Sequence, residues 1–81
     1  MRIKVVTKHF YYVSPPYKGK PPVIEFDYDK DFFFHYENNV VWIEGTSWKK
    51  SVKDMEEGLN TIKEYFHGTN YQIIDLVNML N

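Results

Sequence analysis

Alternation of apolar and acidic side chains over residues 23–29 constrains the fold of this chain more than any other feature. The apolar side chains have even numbers and the acidic ones have odd numbers: Ile24, Phe26 and Tyr28 against Glu25, Asp27 and Asp29. Because successive side chains of a β-strand point to opposite faces, this pattern predicts a strand with one dry and one wet face. The dry face requires a second layer that covers it.

Residues 32–44 are typical of a β-hairpin with a two-residue turn. Asparagine tolerates the positive φ angles of such a turn, and Asn38 and Asn39 separate two β-prone runs. The turn sets the register, so the opposed pairs are Glu37 and Val40, Tyr36 and Val41, His35 and Trp42, and Phe34 and Ile43.

A three-residue turn at 29–31 is predicted to join this hairpin to the preceding strand. Both turns then agree on one dry face, which comprises Ile24, Phe26, Tyr28, Phe32, Phe34, Tyr36, Val41 and Ile43. A first strand is predicted over 3–13, where β-branched and aromatic residues dominate. Four prolines in the loop 14–22 lack N–H donors and cannot continue a ladder.

The period of the apolar residues changes after Gly45. Helical spacing follows a capping box that starts at Ser51, with apolar residues Val52, Met55, Leu59, Ile62 and Phe66. A second capping box at Thr69 precedes Ile73, Leu76, Val77 and Leu80. The sequence therefore predicts an α+β fold, in which an antiparallel three- to four-stranded sheet in β-β-β-β-α-α order carries two C-terminal helices on one face.

A chain of 81 residues has room for one hydrophobic core. We predict a single domain over 1–81, with the sheet in 1–45, the proline-rich loop at 14–22 and a helical layer in 46–81. No apolar run reaches the length of a membrane span and the start is not signal-like, so we expect a cytoplasmic protein without membrane contact. The frequent Phe, Tyr, Ile, Asn and Lys have AT-rich codons, which is typical of low-GC bacteria and their phages.

Motifs for catalysis, metals and cofactors are missing from the sequence. The chain has no cysteine, and His9, His35 and His67 lack the spacing of metal ligands. No serine lies in a strand-turn-helix elbow, and the four glycines are too dispersed for a phosphate loop. We expect no enzymatic activity, no metal, no cofactor and no small-molecule substrate.

Exposed aromatic rings among carboxylates on the wet face suggest a partner-binding site. Its residues are Glu25, Asp27, Phe33, His35, Glu37, Trp42 and Glu44, with Trp42, His35 and Glu25 aligned across three strands. Tryptophan supplies buried area at protein interfaces, and carboxylates select a basic surface. We hypothesise a small stoichiometric protein-binding regulator or inhibitor, of the kind that a phage or mobile element directs at a host nucleic-acid enzyme or defence system.

Two alternatives use other surfaces or partners. The first twenty residues contain five basic residues and no acid, so a nucleic-acid-binding module would use Arg2, Lys4, Lys8, Tyr17, Lys18 and Lys20. A structural homo-oligomer, a homodimer in the simplest case, would instead bury the Trp42 face against its own copy. Lys4, Lys8 or Phe10 of the first strand could also shield that face within the monomer.

Overall fold

The computed structural model describes residues 1–79, and these residues form five strands and one helix. In chain order the elements are β1 (Arg2–Ser14), β2 (Val23–Glu37), β3 (Val40–Ile43), β4 (Lys49–Ser51), α1 (Met55–Tyr65) and β5 (Tyr71–Met79). The strands form one antiparallel sheet in the order β4-β3-β2-β1-β5. The helix packs on one face of the sheet and leaves the opposite face, the open face, without a covering layer.

The core lies between α1 and the middle of the sheet. Its buried apolar side chains are Ile3, Val5, Phe34, Val41, Ile43, Val52, Ile62 and Phe66. The predicted hairpin is confirmed, because the four pairs from Phe34–Ile43 to Glu37–Val40 are all present and Asn38 and Asn39 have φ angles of 50° and 61°. The inward parity predicted for Phe34, Val41 and Ile43 is confirmed as well.

The N-cap of α1 lies three residues after Ser51, where the sequence predicted the capping box to start. Asp54 is the N-cap, and its Oδ1 accepts a hydrogen bond from the Glu57 N–H at 2.9 Å. Glu57 Oε2 in turn accepts from the N–H of Lys53, the residue before the N-cap, at 2.7 Å, so the pair resembles a capping box shifted along the chain. Gly58 allows the helix to approach the sheet, because a Cβ there would lie 3.1 Å from Val41 Cγ2.

The prediction of two C-terminal helices and a three- to four-stranded sheet is wrong, because 71–79 forms the edge strand β5. Ile73 lies opposite Thr7 and Leu76 lies opposite Val5, and both pack against the core. A bulge that leaves Ile74 without a partner lets these residues, three apart, share one face of a strand. The spacing of the apolar residues in this strand therefore resembles that of a helix. Leu80, the last apolar residue of the predicted helix, lies outside the described residues.

The predicted turn at 29–31 is also wrong, since β2 runs through it without interruption. Lys30 pairs with Thr7, whose buried Oγ1 donates to the Lys30 carbonyl at 2.7 Å. On either side, Lys8 lies 3.2 Å from Asp29 and Lys4 lies 3.8 Å from Asp31. The acid-rich segment is compensated by the basic strand β1 beside it, and this pairing outweighs its turn propensity.

Beyond the sheet, β1 and β2 continue as a two-stranded arm, which comprises residues 10–14, the loop 15–22 and residues 23–28. β5 pairs with β1 no further than His9, and β3 pairs with β2 only from Phe34 onward. The molecule is elongated, with extents of 46 × 23 × 21 Å. The expected helical cover over the arm is therefore wrong, and Phe26 and Tyr28 remain 46% and 47% exposed.

Candidate functional site

The open face brings together part of the predicted partner site. His35 stacks on Trp42 with ring centroids 5.0 Å apart and an interplanar angle of 7°. Phe33 has the same parity as His35, and both side chains are half-buried. Glu37 and Glu44 flank these rings. The alignment of His35 with Trp42 is the part of the predicted constellation that the structure contains.

Two predicted site residues, Glu25 and Asp27, lie instead on the arm. The Tyr11 hydroxyl donates to Glu25 Oε2 at 2.7 Å, and this hydrogen bond, together with the charge of Glu25, raises the pKa of Tyr11. Asp27 Oδ1 lies 2.8 Å from His9 Nδ1. The expected alignment of Glu25 with the stacked rings is therefore wrong.

Basic residues of β1 occupy the same open face and balance its acids. The Arg2 guanidinium forms a bidentate pair with Glu44 at 2.9 and 3.2 Å and lies 4.0 Å from the centroid of Phe33. Hydrogen bonds from Arg2, and then from His35, lower the pKa of Glu44. With Lys4 and Lys8 also paired to acids, the face lacks the acidic excess that the sequence predicted.

The predicted nucleic-acid-binding residues fall into two separate groups. Arg2, Lys4 and Lys8 lie in ion pairs on the open face, whereas Tyr17, Lys18 and Lys20 lie at the tip of the arm. There the Lys20 N–H donates to the Tyr17 carbonyl at 2.9 Å, and Lys18 and Gly19 adopt φ angles of 45° and 76°. The tip is a tight two-residue turn with proline pairs on either side.

The base of the arm is anchored by aromatic contacts. His9 stacks on Tyr28 with centroids 4.5 Å apart, and the Tyr28 and Tyr71 hydroxyls lie 3.0 Å from each other. The pKa of Tyr28 is raised to about 12, mainly by this hydrogen bond to Tyr71. Asn70 hydrogen-bonds Phe10 through both its main chain and its side chain, at 2.9 and 3.0 Å. Beyond this point the arm has only its own two strands.

Most of the exposed hydrophobic surface lies on the arm. Seven of the ten large apolar or aromatic side chains that are exposed among residues 1–79 belong to it: Tyr11, Tyr12, Val13, Tyr17, Val23, Phe26 and Tyr28. These side chains lie on both faces of the ribbon, and a cluster of exposed apolar side chains often marks a binding site. The arm is therefore the leading candidate for the functional site.

One side of the arm carries an aromatic patch, defined here as Phe10, Tyr12, Ile24 and Phe26. Phe10 pairs with Phe26 across the strands, Tyr12 pairs with Ile24, and the Phe10 and Tyr12 rings meet edge to face at 5.8 Å. Asp27 has no partner in the pairing of β1 with β2, which makes it a β-bulge. Beyond it, the even-numbered side chains of β2 point to the opposite face, whereas the side chains of β1 continue to alternate regularly. As a result Phe26 no longer shares a face with the core residues of β2.

The sequence predicted that Phe26 and Ile24 lie in the core, but the lengths of β2 and α1 do not allow the helix to cover them. A strand of 15 residues spans about 50 Å, whereas a helix of 11 residues spans only about 16 Å. One such helix cannot cover the whole strand. These lengths come from the structure, because the sequence predicted a turn at 29–31 and a second helix and so did not indicate the exposed part of the strand.

Comparison with protein-family models, with curated proteins and with solved structures found no match for this chain. Within residues 1–79, no helix is long and apolar enough to cross a membrane. The same part of the chain contains no cluster of three or more His, Cys, Asp or Glu side chains that could hold a metal ion.

Proposed function

We propose that this chain is a small stoichiometric protein-binding regulator that docks its aromatic arm on an apolar surface of another protein. The observation that carries the proposal is the concentration of exposed aromatic side chains on the arm. A few residues carry most of the binding energy at protein interfaces, and tyrosine is enriched among them, as aromatic residues are at interfaces in general. A two-stranded ribbon is also only marginally stable in water, so a partner that covers one side stabilises it.

The charge distribution favours an apolar partner surface over the basic one first expected. The ion pair of Arg2 with Glu44 offsets the acidic charge beside Trp42, so this part of the open face attracts a basic partner less than the sequence predicted. The rings of His35 and Trp42 are stacked on each other and half-buried. The patch on the arm, by contrast, includes Tyr12 at 53% and Phe26 at 46% exposure.

A protein partner also fits the arm better than a nucleic acid does. Lys18 and Lys20 at the tip are offset by Glu25 and Asp27 on the strands, so the arm as a whole is neutral. Nucleic-acid affinity depends mainly on neutralised phosphates, and a neutral ribbon supplies few such contacts. A regulator that fills an apolar groove of its target would block whatever normally binds there.

Paired double variants provide the test. Tyr12→Ala with Phe26→Ala removes the aromatic patch, and His35→Ala with Trp42→Ala removes the stacked pair of the open face as a matched control. The partner is captured with the wild-type chain from its native host, identified by mass spectrometry and purified. We expect the arm variant to weaken the measured Kd by about 30-fold or more, because truncating hot-spot residues costs about 2 kcal/mol.

The Kd of the control variant for the same partner should be within about threefold of the wild-type value, as is usual for residues that contribute little binding energy. Circular dichroism should show both variants folded, since Tyr12 and Phe26 are exposed and His35 and Trp42 lie outside the buried core. Unchanged affinity of the arm variant, with loss in the control, would contradict the proposal and favour the open face. Capture of nucleic acid without protein, or of a second copy alone, would contradict it as well.

A further inference from the structure

One edge of β2 has no partner strand over residues 29–33. β3 pairs only with Phe34–Glu37, and after Glu44 the chain turns away at Gly45, whose φ is 82°. In the part of the chain that the structure describes, β1 lies on one side of Asp29–Phe33 and no strand lies on the other. A strand edge of this kind presents main-chain donors and acceptors to a partner.

The hydrogen-bond pattern identifies which groups point to this free edge. Met1, the residue before β1, and Tyr36 of β2 exchange two hydrogen bonds of 2.9 Å. In an antiparallel ladder, hydrogen-bonded pairs alternate with pairs that are not hydrogen-bonded. The main-chain groups of even-numbered residues in this part of β2 therefore hydrogen-bond to β1. Phe33 faces the other way, because its carbonyl accepts from the Glu44 N–H at 2.9 Å. The main-chain groups of Asp29 and Asp31 therefore point outward.

A groove of about 500 Å³ lies beside this edge, where β3 would continue if it were longer. On the helix side its lining includes the apolar or aromatic residues Phe32, Ile43 and Tyr65, with Lys30 next to the Phe32 ring. On the other side it includes Asp31 and Glu44. An extended peptide whose side chains alternate between basic and apolar matches both sides.

We propose that the free edge of β2 takes up an extended segment of the partner protein as an added antiparallel strand. Basic side chains of that segment lie opposite Asp29 and Asp31, on the side of β2 away from Lys8 and Lys4. The two carboxylates remain 68% and 43% exposed beside these lysines, and an apolar side chain of the segment enters the groove. The inference rests on the proposed function, because it requires a protein partner. It adds the partner's chemistry: a strand with alternating basic and apolar residues.

Charge also decides between this partner and a second copy of the chain. Two copies of β2 that paired antiparallel about Lys30 or Asp31 would place aspartates opposite aspartates. Like charges directly opposite each other destabilise a strand pair, whereas opposite charges stabilise it. The edge is therefore biased against self-association and toward a basic strand.

Short peptides test the edge without the native partner. Two fluorescein-labelled probes, acetylated and amidated, alternate valine with lysine or valine with glutamate, and fluorescence anisotropy measures their binding to the full chain. We expect the lysine peptide to bind at least about tenfold more tightly than the glutamate peptide. In the double variant Asp29→Asn, Asp31→Asn, this difference should fall below about threefold.

Main-chain pairing is tested separately from charge by comparing Asp31→Pro with Asp31→Asn. Both remove the carboxylate, but only proline removes the outward N–H, and proline is tolerated where a strand edge faces solvent. We expect the proline variant to bind the lysine peptide at least about fivefold more weakly than the asparagine variant. Equal binding by the two would overturn strand addition and leave simple charge attraction.

Amide exchange on the wild-type chain gives a readout that does not depend on the proline variant folding. The lysine peptide should slow exchange at Asp29 and Asp31, and slowing confined to any other region would overturn the inference. The arm variant Tyr12→Ala, Phe26→Ala should keep its affinity for the peptide. If the peptide fails to bind while the arm variant still loses the native partner, this inference is wrong and the proposed function stands.

Discussion

Replacing Phe34 with alanine should lower the free energy of unfolding by about 3–5 kcal/mol, the usual cost of deleting a buried phenylalanine ring. Phe34 is 0% exposed and lies between the sheet and α1. Its ring meets those of Trp48, Tyr65 and Phe66 at centroid distances of 5.8, 5.5 and 5.9 Å. Small domains are stable by only about 5–15 kcal/mol, so this variant should unfold at much lower urea concentrations.

The neighbouring residue Phe33 provides the matched control for this prediction. Phe33 lies on the open face under the Arg2 guanidinium, and its replacement by alanine should cost about 1 kcal/mol. Urea denaturation followed by circular dichroism measures both variants under the same conditions. A Phe34→Ala variant no less stable than Phe33→Ala would mean that the two faces of β2 are assigned the wrong way round.

Proline at Val77 should destabilise the protein by about 2–3 kcal/mol, because it removes a ladder bond and leaves a carbonyl of β1 without its donor. Val77 lies opposite Lys4. The hydrogen bond from the Phe10 N–H to the Asn70 carbonyl shows that even-numbered residues of β1 bond toward β5. The Val77 N–H therefore points into the sheet.

Asn78→Pro is the control for that prediction, because the Asn78 N–H points away from β1 at the edge of the sheet. Proline there should cost less than about 1 kcal/mol. In a helix over these residues, each proline would instead cost about 3 kcal/mol. Urea denaturation of the two variants therefore distinguishes strand from helix, and equal losses would contradict the assignment of β5.

Local patterns predicted the middle of the molecule correctly. The Asn38-Asn39 turn and the alternation around it specify the β2–β3 register, and that register decides that Phe34, Val41 and Ile43 face α1. A short turn leaves few ways to pair two strands, so the prediction required no knowledge of the rest of the chain.

The errors arose where a distant partner decides the local structure. Ile73 and Leu76 are three apart, as in a helix, but the bulge at Ile74 allows the same spacing in a strand beside β1. The segment 29–31 has the composition of a turn, yet lysines of β1 pair with its acids. In both cases the pairing with β1 determines the local structure, and the sequence alone did not predict the position of β1 in the sheet.

The candidate site was only partly predictable for a related reason. Phe33, His35 and Trp42 do share the open face, as their parity indicates. The parity of Phe26 changes at the Asp27 bulge, which no local pattern marks. The exposure of the arm depends on where α1 ends relative to the sheet, and that follows from the lengths of elements far apart in the sequence.

Amide hydrogen exchange on the free and partner-bound chain tests the central claim most directly, namely that the arm is an exposed ribbon which a partner covers. In the free chain, amides of residues 10–14 and 23–28 should exchange at least about 100-fold faster than those of Val5 and Phe34, and the partner should slow them. Arm amides as protected in the free chain as those of the core, or slowing confined to the Trp42 face, would contradict the claim.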